Sequence, residues 1–333
     1  MRIKELDVFR GIAAMSVILY HFTTRYNEIF DSETAFSFPY GWLGVPVFFI
    51  LSGFVIHLTI DSCSSAKEFL IKRFFRLYPT YWIAIFCTLL IVFISGINSK
   101  YSFFNFSYLD VLMNFTMWHQ FFGFNHIDGA YWSLLPELLF YLLMSFLFVI
   151  RSINKYYLYN GLLLLLCCIH YVFPLPIVDK VLDLHYVLLF MIGIAFYRIY
   201  TNKSTYLEHI FIFLNLLVGV FLYNIAQPST SIKLLFFLFL PIVLLYYLFI
   251  YGKLRFLTGI KPLIFLGNIS YALYLVHQNI GYVIIYHLEN LVGRFFATNL
   301  ATIFAIFLAY IITCKIEPPF RKGLKKILSP NAK

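Results

Sequence analysis

Charged side chains are scarce in this chain: Asp, Glu, Lys and Arg together make up 12% of its 333 residues. A soluble domain carries about 25%, so a water-facing surface cannot be assembled from this set. Cysteine is scarce as well. Cys63, Cys87, Cys167, Cys168 and Cys314 lie within or beside apolar runs and show no metal-type spacing, which excludes a disulfide scaffold or a cysteine-ligated zinc site. Neither a low-complexity run nor an internal repeat is present, and that argues against a modular or linker-rich chain. A cleavable leader is also missing. The first apolar stretch follows Arg2 and Lys4, but no small-residue cleavage site succeeds it and it contains Arg10 and His21, so it reads as a retained helix.

What the chain has in abundance is apolar bulk, with 62% hydrophobic and 21% aromatic residues. A helix needs roughly 20 mostly apolar residues to cross the hydrocarbon of a bilayer. Ten such spans are read, near 8–24, 41–60, 78–97, 131–150, 157–173, 185–200, 206–224, 231–250, 263–288 and 296–315. The expected fold is therefore all-α, a polytopic integral membrane protein. It is read as a single transmembrane domain over 1–333, with a short basic tail at 316–333 and no fused extracytoplasmic domain. Segment 63–76 is too charged to cross and reads as a helix lying at the cytoplasmic interface.

The net charge of +10 invites a nucleic-acid reading, but its placement argues for topology instead. On the ten-span reading only Arg25, Lys100, Lys180, Lys233 and Arg294, of 25 basic residues, fall on the far side from the N-terminus. Lys and Arg accumulate in cytoplasmic loops, which predicts that both termini are cytoplasmic.

Ionisable groups inside membrane spans are costly and are functional candidates by default. Arg10 and His21 stand eleven residues apart, close to three full helical turns, so they share a face and differ in depth by about 16 Å. A snorkelling arginine and an interfacial histidine would account for the same positions. Glu137, in YWSLLPELLFYLL, lies about 9 Å inside the outer end of its span, and His277, in SYALYLVHQ, about 21 Å up a helix that starts inside. His21, Glu137 and His277 thus reach a similar depth, where two imidazoles and a carboxyl can supply a base, an orienting partner and a proton shuttle. Arg73 and Arg76, at i and i+3, suit bidentate recognition of phosphate as well as anchoring to anionic lipid. His57 lies near that cytoplasmic end, and Trp118, His119, His126 and Asp128 in the long outer loop are weaker candidates for contact with an acceptor.

Five strings carry a resemblance when taken in order: LDVFRGIAA followed by His21, VPVFFILSGFVI, KRFFRLYPTYW, YWSLLPELLFYLL and SYALYLVH. With them the chain resembles the acyltransferase-3 family of bacterial membrane O-acyltransferases. The resemblance implies transfer of an acyl group, commonly acetyl from cytoplasmic acetyl-CoA, to a hydroxyl of a surface polysaccharide or other glycan or glycolipid, in the bacterial inner membrane. It implies that Arg10 and His21 are the essential pair, with His21 as the catalytic group acting as base or nucleophile, that Arg73 and Arg76 help to hold the acyl-CoA, and that Glu137 is the carboxylate of the family's tryptophan–serine–leucine motif. No metal cofactor is expected. A secondary transporter or a glycan or lipid flippase is the competing reading, since it too is polytopic with few buried charges.

Overall fold

The computed structural model describes residues 3–32, 36–203, 205–226, 230–320 and 323. Among the described residues there is no strand. Fourteen α-helices follow one another among the described residues: α1 Lys4–Tyr20, α2 Tyr26–Phe30, α3 Gly44–Ile60, α4 Ala66–Ser95, α5 Tyr108–Asn114, α6 Leu134–Val149, α7 Tyr156–Val172, α8 Pro176–Leu182, α9 Val187–Tyr200, α10 Tyr206–Ala226, α11 Ile232–Ile250, α12 Lys261–Val276, α13 Gln278–Val292 and α14 Arg294–Ile311. Seven helical stretches among the described residues are long and apolar enough to cross a membrane, and α7, α9 and α12 are shorter apolar helices. Arg2 and the tail's Arg321, Lys322, Lys325, Lys326 and Lys333 lie outside the described residues.

The charged segment read as an interfacial helix is not a separate element. It forms the opening turns of α4, one continuous helix of 30 residues with Pro79 inside it. At 1.5 Å per residue this helix is about 45 Å long, well beyond the roughly 30 Å hydrocarbon core, so its charged end need not enter lipid. A second departure concerns the span read over 263–288. The helix is interrupted at His277, which closes α12 and opens α13.

By its internal contacts the chain divides into two units. The first gathers Met1–Val45, Lys72–Leu135 and Ile260–Lys333, and the second Pro46–Ile71 and Pro136–Gly259. Lipid tails are as apolar as leucine, so burial gives helices little reason to associate in a bilayer, and close backbone packing has to supply it. Each unit contains such a close crossing. In the first, α1 meets α12 where a side-chain carbon on Gly11 would come within 2.6 Å of the Leu263 carbonyl oxygen, and one on Gly267 within 1.8 Å of the Asp7 carbonyl oxygen. In the second, carbons on Gly53 of α3 and Gly193 of α9 would each come within 2.0 Å of the other helix's backbone, at the carbonyl oxygens of Phe190 and Ile50. A small-residue seam adds to the first unit. Ala297, Ala301, Ala305 and Ala309 recur every fourth residue of α14 and are all fully buried against neighbouring helices α12 and α13.

Candidate active site

The first unit brings His21 and His277 into ring contact. Their centroids are 4.9 Å apart and the planes are nearly perpendicular. Both rings sit where a helix departs from regularity. α1 is regular through Tyr20, then His21–Arg25 form a single π-helical turn before α2. Such turns leave backbone groups with shifted partners and recur at functional sites. Here the carbonyl of Phe22 accepts from the Arg294 guanidinium at 2.8 Å, which itself stacks 3.6 Å over the Tyr26 ring.

At the α12–α13 break His277 uses its own side chain to satisfy the backbone. Its Nδ1 lies 2.7 Å from the Tyr274 carbonyl oxygen. A carbonyl only accepts, so Nδ1 carries the proton and Nε2 is left as a lone-pair acceptor. That Nε2 is buried and makes no hydrogen bond to the described residues. The first-turn N–H groups of α13 need acceptors as well. Asp128 supplies one, receiving the Asn279 amide at 2.9 Å, while the Asn279 side chain donates to the Ile127 carbonyl at 2.8 Å.

His21 differs from its neighbour in being only partly buried, whereas His277 is fully enclosed. Its Nδ1 lies 3.2 Å from the Tyr282 hydroxyl, on the first turns of α13. One such bond is worth about 1 kcal/mol and fixes the ring plane. The geometry therefore gives an accessible imidazole, oriented by a phenol on one side and backed by a second imidazole with a defined tautomer.

At the other end of α12 stand the arginines. Arg10 pairs with Asp7 at 3.3 Å, and Asp7 is the residue whose carbonyl Gly267 meets. One turn further along α12, Tyr271 donates to the Leu77 carbonyl at 3.1 Å, and Arg76 lies 5.5 Å from its ring centre. α12 thus touches the Arg10 neighbourhood and the Arg76 neighbourhood on successive turns. Arg73 and Arg76 do not share one environment, since Arg73 is buried and Arg76 exposed. From Gly267 to His277 is ten residues, about 15 Å of helix.

Glu137 belongs to the second unit. It sits in the first turn of α6 and accepts hydrogen bonds from Ser52 at 3.1 Å and from Tyr141. His57 is buried in the same unit, edge-on to Tyr197.

Comparison with known proteins decides what kind of protein carries this arrangement. The acyltransferase domain model of the acyltransferase-3 family matches residues 3–314. The chain belongs to the acyltransferase-3 family. It is also 27% identical to a protein of Acidianus two-tailed virus named "Putative acetyltransferase ORF330", over 83% of this chain and 82% of that one. No solved structure matches.

In this acyltransferase several features of the site carry no sequence signal. Nothing marks Tyr282 among 26 tyrosines; only its position one turn beyond a broken helix sets it apart. The candidates in the loop before α6 have structural partners. Asp128 is enclosed, caps the short helix Gly129–Ser133 through the Ala130 amide and holds α13; burial pushes its carboxyl up to about 7 despite both amides. The His119 and His126 rings meet nitrogen to nitrogen at 2.7 Å, and burial followed by the neighbouring ring pushes His119 down to about 3. Trp118 packs edge-on to Phe121.

The same unit of the acyltransferase holds a cavity of about 470 Å³ lined by Phe93, Phe104, Phe106, Asn98, Asn105 and Ser107, among others. Aromatic contacts link it to the histidines: Phe104 to Phe30 at 6.4 Å, Phe30 to Tyr282 at 5.9 Å, and Tyr282 to His21 at 6.3 Å.

Proposed function

We propose that this acyltransferase moves an acetyl group from acyl-CoA, presented at the cytoplasmic face, to a hydroxyl of a glycan or glycolipid, with His21 as the catalytic base. The observation that carries the reading is the His21–His277 contact with Tyr282 on His21 Nδ1. A base within reach of substrate, oriented by a second group and backed by a third, is the arrangement acyl transfer needs.

The contact supports the following steps. His21 Nε2 takes the proton of the acceptor hydroxyl as its oxygen attacks the thioester carbonyl. The carbon–sulfur bond then breaks, and the proton passes to the leaving thiolate. His277, its Nδ1 proton held by the Tyr274 carbonyl, packs its ring edge-on against His21 and so holds the base in place. Arg10, Arg73 and Arg76 hold the donor's phosphates, and the length of α12 between them and His277 matches an anionic head followed by a thin arm. The acceptor enters through the cavity at Phe104, whose aromatic faces and amides suit a sugar. Glu137 is read as an assisting carboxylate of the same reaction. The whole of 1–333 acts as one domain of ten spans, in the inner membrane with both termini cytoplasmic, as the basic-residue asymmetry supports.

The test is transfer of radiolabel from acetyl-CoA in membranes holding wild type or His21→Ala. Label in glycan or glycolipid with wild type, and a loss of about 10³-fold in the variant at equal insertion, is the expected result. Retained activity in His21→Ala overturns the assignment.

A further inference from the structure

The connection between α7 and α9, in the second unit, assembles a group that the acyl-transfer reading does not use. His170 closes α7, Asp179 lies in the short helix α8, and His185 precedes α9. Each places one ligating atom so that the three lie within 4.8 Å of one another. His170 is buried and the other two are half-buried. The spacings, eight residues and then five between successive members, match no metal motif, so the cluster carries no sequence signal.

Hydrogen bonds explain part of this group. His185 Nδ1 lies 3.1 Å from an Asp179 oxygen, and His170 Nδ1 accepts the Leu175 amide at 3.0 Å. Among the described residues neither ring's Nε2 makes a hydrogen bond. At His185 the nitrogen that faces Asp179 is Nδ1, so a cation seated between the two replaces this hydrogen bond, with Nδ1 as the ligand and the ring proton on Nε2. At His170 a cation competes with the Leu175 amide for the ring, exchanging one backbone hydrogen bond for a coordinate bond.

We propose that His170, Asp179 and His185 form a binding site for a borderline divalent cation of the Zn2+ class. Two imidazoles and one carboxylate are the donor set such an ion prefers, with a fourth position left for water. Calcium and magnesium prefer an all-oxygen set and fit poorly. Bound there, the ion ties the end of α7 to α8 and to the start of α9. It thereby closes a connection whose Pro174 and Pro176 already restrict the backbone.

The experiment uses the full chain, purified in detergent without a polyhistidine tag, stripped with EDTA, equilibrated with Zn2+ and desalted. Metal analysis should find about one zinc per chain more in wild type and in His21→Ala than in a His170→Asn/His185→Asn double variant. Zn2+ should raise the melting temperature of the first two alone. Equal zinc content in wild type and the double variant overturns the proposal, because the remaining histidines then hold whatever zinc is bound. If the double variant does not fold, Co2+ titration of wild type decides. Visible bands of four-coordinate cobalt saturating at one equivalent uphold the site, and the spectrum of hydrated cobalt alone overturns it. Neither readout depends on acyl transfer.

Discussion

The two units use the same device to bring helices together and put it to different ends. In each, a pair of glycines lets two backbones touch: Gly11 with Gly267 in one, Gly53 with Gly193 in the other. The second unit keeps its helices regular around the crossing. Glu137 there is satisfied by the hydroxyls of Ser52 and Tyr141, and Ser52 is the neighbour of Gly53 in sequence. The first unit breaks its helices, with a π turn at His21 and an interruption at His277. Regular helix satisfies its own backbone and holds side chains still; interrupted helix leaves polar groups that must be met from elsewhere, and here a ring, a carboxylate and an amide meet them. On the proposed reading the first unit, with its interrupted helices, carries the base.

The sharpest way to break that contrast is to compare His277→Ala with Glu137→Gln. The first should cost about 100-fold in kcat, because the imidazole behind the base is lost. The second keeps an acceptor for both hydroxyls and should cost about threefold or less. Equal losses, measured by acyl transfer at matched insertion, would erase the distinction. Gly267→Val and Gly193→Val test the two crossings next. Each overpacks a tight contact and should destabilise by about 1–3 kcal/mol, read as melting temperature in detergent. Only Gly267→Val should also lower activity per folded molecule, since only that crossing leads to the histidines.

Much of this was legible in the residues. Apolar runs gave the helices, and the rarity of charge within them singled out Arg10, His21, Glu137 and His277. Rise per residue put His21, Glu137 and His277 at one depth; the structure sets the two histidine rings 4.9 Å apart, and Glu137 falls in the second unit. The interruption at His277 was not legible, because LYLVHQNI contains neither proline nor glycine, and the cause lies in partners such as Asp128 more than a hundred residues away. The continuity of α4 was hidden for the opposite reason. Its charged start and apolar remainder look like separate segments when only hydropathy is read. Likewise, Asp128 looked like a contact for substrate because nothing local shows that it caps a distant helix.

Two smaller effects sharpen the picture. Tyr282→Phe removes one hydroxyl from His21 and should lower kcat about five- to tenfold. It should also shift the pH profile of kcat while leaving KM for the donor unchanged; a role in packing alone would leave that profile in place. Asp128→Asn tests the pin on the broken helix. Burial raises this carboxyl from 3.8 to about 7 in the fold, so the folded state favours the protonated form. Its contribution is full below the unfolded value and is lost as pH rises through 7. The melting temperature of wild type should therefore fall relative to Asp128→Asn between about pH 4 and pH 7, and parallel curves would refute the assignment.

The π turn at His21–Arg25 also sets a rule for length variation along this chain. Each residue of regular α-helix advances the side-chain direction by about 100°. Between Arg10 and His21 the helix is regular, so a single insertion or deletion there would swing the imidazole away from its partner. The wider turn that follows absorbs one extra residue and resets the phase for Tyr26 and everything after it. Upstream of His21 the chain is a ruler that cannot change by one; the wider turn at His21–Arg25 is where the helix already departs from that spacing.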